Sequence, residues 1–115
     1  MSTLKAKYGT EEEVNLGSTA SITAVVGGQA AATQLTKKWN EVTTNPVGGA
    51  VKLSAMKIGS KQVIFNNTLN DLIVYPTSGE SINGIIDYAF TVAAGGVMAF
   101  ESQKTGLCFS YGSSL

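Results

Sequence analysis

The forty residues from Lys61 to Phe100 break into short runs of β-branched and aromatic side chains, each closed by residues that turn the backbone. Gln62-Val63-Ile64-Phe65 stops at Asn66-Asn67-Thr68-Leu69-Asn70-Asp71, and Leu72-Ile73-Val74-Tyr75 stops at Pro76. Asn and Asp tolerate left-handed backbone angles and bond their own main chain, so the first break reads as the turn of a β-hairpin. Proline lacks the N–H a ladder needs and ends the second run. Thr77 to Ser81 is polar turn chemistry, and Ile82-Asn83-Gly84 is a second sharp corner. Tyr88, Phe90 and Val92 then recur at the period of two that marks a strand, Ala93-Ala94-Gly95-Gly96 turns the chain, and Val97 to Phe100 returns. Such a stretch makes four strands and needs no helix.

The flanks follow the same grammar. Thr19 to Val26 is small and β-branched and ends at Gly27-Gly28; Val51 and Leu53 alternate with Lys52 and Ser54 and are expected to point inward. Leu107, Phe109 and Tyr111 share one face of a last strand. Residues 29–42 carry Ala31, Leu35, Trp39 and Val42 at helical spacing, but their Thr and Ala content and the run into Val42-Thr43-Thr44 favour extended chain, with at most one helical turn near Thr36 to Asn40. Turn signals separate about eight short strands. The expected fold is all-β, a single-domain antiparallel β-sandwich of jelly-roll type spanning 17–115. Residues 1–16 lack apolar periodicity behind Glu11-Glu12-Glu13 and read as an arm: either a frayed terminus or an extended N-terminal tail laid on a partner, with Leu4, Lys5, Lys7, Tyr8, Val14 and Leu16 as candidate anchors.

Composition narrows the function. At 115 residues the chain holds one core. Charged residues make up 14%, against roughly 25% in an ordinary soluble domain, so the surface is either bland or covered by another chain. Eight Lys balance eight Asp and Glu, and there is no Arg to fork onto guanine or phosphate, which argues against nucleic acid as a partner. No apolar run approaches the roughly 18 residues of a membrane span, and the first residues lack a secretory apolar region; a soluble protein made in a cytoplasm is expected. The lone Cys108 lies in an apolar run and reads as a buried thiol, consistent with a reducing compartment.

Catalytic chemistry finds no foothold. Without His, the commonest general base and metal ligand is missing. Glu41, Asp71, Glu80, Asp87 and Glu101 are acids scattered through turns rather than a glycosidase pair or a calcium loop, and the Gly pairs are spaced as turns rather than as a phosphate cradle. No enzyme activity, cofactor or metal is expected. Trp39 reads as partly buried core, with a sugar-stacking platform as the alternative. What remains is an apolar surplus: both faces of Val63 to Phe65 and of Leu72 to Tyr75 are hydrophobic. One face, built from Val63 and Phe65 with either Leu72 and Val74 or Ile73 and Tyr75, is expected to fill the core, and the other is covered either by neighbouring loops or by a partner subunit. Ile64, Ile73, Tyr75, Ile85, Ile86 and Met98 are the candidate subunit-interface residues.

Val74, Tyr75, Pro76, Gly79, Ile82 and Asn83 also match a V-Y-P-x-x-G-x-x-I-N corner, followed by a strand, an Ala-Gly turn and an aromatic strand. This resembles small β-structured virion proteins of tailed bacteriophages. Gln29 to Leu35, Asn40 to Thr44 and Val51 to Leu53 resemble the same group's N-terminal half, so the likeness covers about Gly28 to Tyr111. It implies a capsid decoration or cement protein: a homotrimer on the capsid exterior, gripping the major capsid protein. The alternative it leaves open is a receptor-binding or adaptor module of a fibre, with Trp39, Tyr75, Tyr88 and Tyr111 stacking on host glycans.

Overall fold

The computed structural model describes residues 18–113. The arm read at 1–16 lies outside them. Among the described residues there are eleven strands and no helix, so the all-β expectation holds and the helical spacing at 29–42 goes unused. The strands are β1 (Ser18–Thr23), β2 (Thr33–Gln34), β3 (Trp39–Thr44), β4 (Ala50–Lys52), β5 (Lys61–Asn66), β6 (Leu72–Tyr75), β7 (Ser81–Ile82), β8 (Ile85–Ile86), β9 (Phe90–Val92), β10 (Val97–Lys104) and β11 (Leu107–Ser113).

Their pairing departs from an antiparallel sandwich. Seven strands form one sheet in the order β1-β3-β5-β10-β11-β7-β8, and four form a second in the order β2-β4-β6-β9. Consecutive strands of the first half thus alternate between sheets, and within each sheet they lie parallel: β1 on β3, β3 on β5, β2 on β4 and β4 on β6. The chain winds as a solenoid. Parallel partners need a crossover, and here a strand of the opposite sheet supplies it where a helix usually would. The predicted hairpin around Asn66 to Asp71 is therefore a corner of the coil, since β5 and β6 belong to different sheets.

Winding ends by reversal. β9 runs antiparallel to β6, and β10 runs antiparallel to β5 and to β11, covering the last strand of the coil in each sheet, while β7 adds in parallel beyond β11. Phe90 on one sheet meets Phe100 on the other edge-to-face, with ring centroids 5.2 Å apart, a preferred aromatic geometry that ties the cap together. Between the sheets lies one core: Ile22, Val42, Ile64, Met98 and Phe100 from the larger sheet, and Leu35, Val51, Leu53, Leu72, Val74 and Val92 from the smaller side. Val51 and Leu53 point inward as their alternation predicted, while Lys52 and Ser54 lie half-buried outside.

The corners are held by buried amides. Asn66 is fully buried, and its Nδ2 donates to the carbonyls of Asn70 at 2.9 Å and Val92 at 3.0 Å. Its backbone N–H donates to Gly96 and its carbonyl accepts from Gly95. Thr68 Oγ1 donates to Asn66 Oδ1 at 2.6 Å. One coil further back, Asn45 Nδ2 donates to the carbonyls of Asn70 and Asp71, both at 3.0 Å, while Asn70 Nδ2 returns a bond to the Asn45 carbonyl at 2.8 Å. Three successive corners are thereby laced together. Gly49 packs so tightly under the first that a Cβ there would collide with Asn45 Oδ1.

The opposite side of the coil uses backbone rungs, Leu35 N–H to the Lys52 carbonyl and Leu53 N–H to the Tyr75 carbonyl. Gln62 braces it, donating from Nε2 to the Lys37 carbonyl and accepting the Ser54 N–H at Oε1, each at 2.8 Å.

Replacing Asn66 by Ala strands buried carbonyls of two corners at once. The variant is expected to lose about 3 kcal/mol of unfolding free energy, read as a lower urea midpoint at unchanged slope. The exposed neighbour Asn67→Ala is expected to stay within about 1 kcal/mol of the parent.

Candidate interaction surfaces

Val74, Pro76, Gly79, Ile82 and Asn83 of the V-Y-P-x-x-G-x-x-I-N corner each have a definite structural task. Val74 and Ile82 are core, and Pro76 is buried with its carbonyl accepting from Gln29 Nε2 at 2.8 Å. Gly79 takes φ +87 and donates its N–H to Asp87 Oδ1 at 2.8 Å. Asn83 and Gly84, at φ 55 and 86, form the two-residue turn joining β7 to β8, the Asn-Gly chemistry that a mirror-image hairpin turn requires. Asn83 also clamps β11, donating from Nδ2 to Ser110 Oγ and accepting the Ser110 N–H at Oδ1. The Gly79 N–H, together with Gln29 Nε2, which also donates to Asp87 Oδ1 at 3.1 Å, holds the Asp87 carboxyl below its usual range.

The expected subunit-interface set divides. Ile64 and Met98 are sealed in the core, at 0% and 7% exposure, and cannot face a partner in this conformation. The reason is parity. β5 is apolar on both faces, and the structure turns Ile64 inward and Val63 with Phe65 outward, the reverse of the expected assignment. On β6, Leu72 and Val74 fill the core, leaving Ile73 and Tyr75 half-buried outside. Ile85 and Ile86 are exposed on the edge hairpin, Ile86 at 65%. Leu4, Lys5, Lys7, Tyr8, Val14 and Leu16 fall outside the described residues.

Trp39 is not core: it is 51% exposed on the outer face of the larger sheet. Register places it in a row with Val63, Ala99 and Tyr111, one residue from each of four adjacent strands. The next row runs Glu41, Phe65, Val97. On the other side, Lys61 and Glu101 pair across β5 and β10, with Phe109 beyond. Lys61 Nζ sits 5.6 Å from the Tyr111 ring centroid, and Tyr111 OH donates to Glu101 Oε1 at 3.0 Å. Those neighbours, Tyr111 foremost, raise the Lys61 pKa. Val63 and Ala99 are sunk between exposed Trp39 and Tyr111, so the face is ridged with aromatics. Leu107, Phe109 and Tyr111 share one side of β11, as predicted, and it is this outer side.

Beside Trp39 and Glu41, strand β1 offers only Ser18 and Ala20 on this face, and the small side chains leave a groove of about 280 Å³ bounded by Phe65 and Val97. Sequence reading missed it, because its walls come from four strands whose order it had not established. A second cleft of about 190 Å³ opens between the sheets over Leu53, Met56, Phe100 and Cys108. Cys108 is buried, and loss of solvation, with the Glu80 charge adding to it, pushes its thiol up to about 12. Among the described residues no group of three or more His, Cys, Asp or Glu side chains is placed to hold a metal ion, and no helix is long and apolar enough to cross a membrane. Asn66-Asn67-Thr68 matches a glycosylation sequon, but its acceptor amide is the buried corner stitch. Compared with known proteins, the chain matches no family model, no curated protein and no solved structure.

A thiol raised by burial binds its proton more tightly folded than unfolded. Its contribution is complete below the thiol's ordinary 9.0, and stability falls as pH rises from there toward 12. Native protein at pH 8 is expected to react with a disulfide reagent only at its unfolding rate, and Cys108→Ala to flatten the alkaline fall in melting temperature. A thiol that reacts at once under native conditions contradicts this.

Proposed function

We propose that this protein is a structural component of a tailed-bacteriophage virion: a non-enzymatic capsid decoration protein that assembles as a homotrimer and fastens onto the outer surface of the major capsid protein shell. The capsid address and the trimer derive from the resemblance carried by Val74 to Asn83. The observation that favours a binding role is the placement of large apolar side chains on the outside of a chain so poor in charge. Ile85 and Ile86 on the edge hairpin, and Trp39, Val97, Phe109 and Tyr111 on the outer face, remain exposed after the core is filled. Exposed apolar area of this kind is what a partner chain covers. A scaffold of laced corners suits the task, since a fastener stabilises the assembled shell by binding it and must keep its own shape while loaded.

The second reading, a fibre-borne receptor-binding module, is favoured by one specific observation: Trp39 and Tyr111 flank a shallow trough over Val63 and Ala99, a layout on which a flat glycan ring can stack.

Light scattering on the purified chain is expected to give a mass near three chains, and Ile85→Asp with Ile86→Asp to reduce it to one. A clean monomer at micromolar concentration would remove the trimer. Binding to emptied capsids but not to host cells is the expected outcome for the decoration protein, and the opposite result establishes the fibre reading.

A further inference from the structure

The groove beside Trp39 carries an inference that does not rest on the virion reading. Its lining combines an exposed indole, a second aromatic ring on Phe65, the apolar Val97 and one charged group, the Glu41 carboxylate. Glu41 and Trp39 are two residues apart on β3 and so project from the same face, and Glu41 lies directly across from Phe65 in the parallel register. The carboxylate is oriented rather than loose: Asn67 Nδ2 donates to Oε2 at 2.8 Å. An amide orients a carboxylate without neutralising it, so a full negative charge sits at the rim of an aromatic groove.

We propose that this groove is a docking site for an arginine side chain presented by an extended segment of a different protein. Two physical preferences converge on that group. The face of an indole attracts a cation, and a planar guanidinium stacks there while its edge forks onto a carboxylate. A compact ammonium would satisfy the charge but not the stacking. The partner is not a second copy of this chain, because the sequence contains no Arg. Among the described residues, small Ser18 and Ala20 leave the approach open from the edge strand β1, where an extended segment meets no bulky side chain.

Trp39 is the only tryptophan, so its indole N–H gives a single NMR resonance that reports occupancy directly. The test titrates the full chain with an Ac-Thr-Arg-Thr-NH2 peptide and with the same peptide carrying citrulline, the neutral isostere of arginine. Saturable movement of the indole resonance is expected with arginine, at about tenfold lower concentration than with citrulline. Glu41→Gln keeps an oxygen for Asn67 to bond and is expected to erase the difference between the two peptides. Ala20→Lys, placing a cation beside the groove from an exposed position, is expected to block the arginine peptide at an unchanged melting temperature. Equal binding of both peptides, or arginine binding that survives Glu41→Gln, overturns the proposal. Tighter binding of tetramethylammonium than of the arginine peptide overturns the side-chain source, and saturation by a neutral oligosaccharide in place of the peptide makes the groove a sugar site.

Discussion

The fold depends on taking a few amide side chains fully out of water. A buried Asn costs stability unless its amide finds partners nearby, and at the corners of this coil the Nδ2 groups of Asn45 and Asn66 find them in main-chain carbonyls of neighbouring corners, while Asn45 Oδ1 is left without one. Asn45 reaches forward to the Asn70 carbonyl, Asn70 reaches back to that of Asn45, and Asn66 reaches on to that of Val92, so the amides do for the bends what the β-ladder does for the strands. The apolar core fills the space between the sheets. The amide lacing fixes which coil lies over which, a choice that hydrophobic burial alone, being non-directional, leaves open.

This division explains what could be read from the amino-acid order and what could not. The longer strands were legible, because β-branched runs ended by Gly, Pro and Asn carry a local signal, but the two-residue strands β2, β7 and β8 were not, and the count of about eight falls short of eleven. Also legible were the inward aim of Val51 and Leu53, the burial of Cys108 and the common face of Leu107, Phe109 and Tyr111. Pairing was not. Asn66 to Asp71 has the same chemistry whether it bends the chain back into one sheet or carries it across to the other, and only tertiary contacts separate the two outcomes. The coil also lacks a fixed repeat. Register partners lie 21 residues apart between β1 and β3, with Ser18 opposite Trp39, and 24 apart between β3 and β5, with Trp39 opposite Val63. A periodicity that drifts by three residues over two turns leaves no repeat to find. The sides of β5 were ambiguous for a different reason: when both faces are apolar, alternation says that neighbours differ but not which one is inside. That ambiguity misplaced Ile64 and Met98 at an interface and hid Phe65 as a groove wall.

Shape and recognition are carried by different residues. Those of the corner from Val74 to Asn83 are spent on building it: Val74 and Ile82 on the core, Gly79 and Asn83 on backbone angles, Pro76 on a carbonyl that Gln29 needs. The side chains left free to meet a partner, Trp39, Glu41, Phe65 and Tyr111, lie on the outer face of the sheet and contribute little to the core. A surface of this kind can change its residues while the coil beneath stays the same.

Strand β1 has one more property. A stack of parallel strands left open at its end is a template on which further molecules could add, end over end, into a filament. Here the terminal rung is crooked: Ser21 takes a left-handed φ of 63, and the register slips on both sides of Ile22. An incoming strand would find its hydrogen-bonding groups in line for only a residue or two before they diverge. Among the described residues, that irregularity makes the β1 edge a poor template for an added strand.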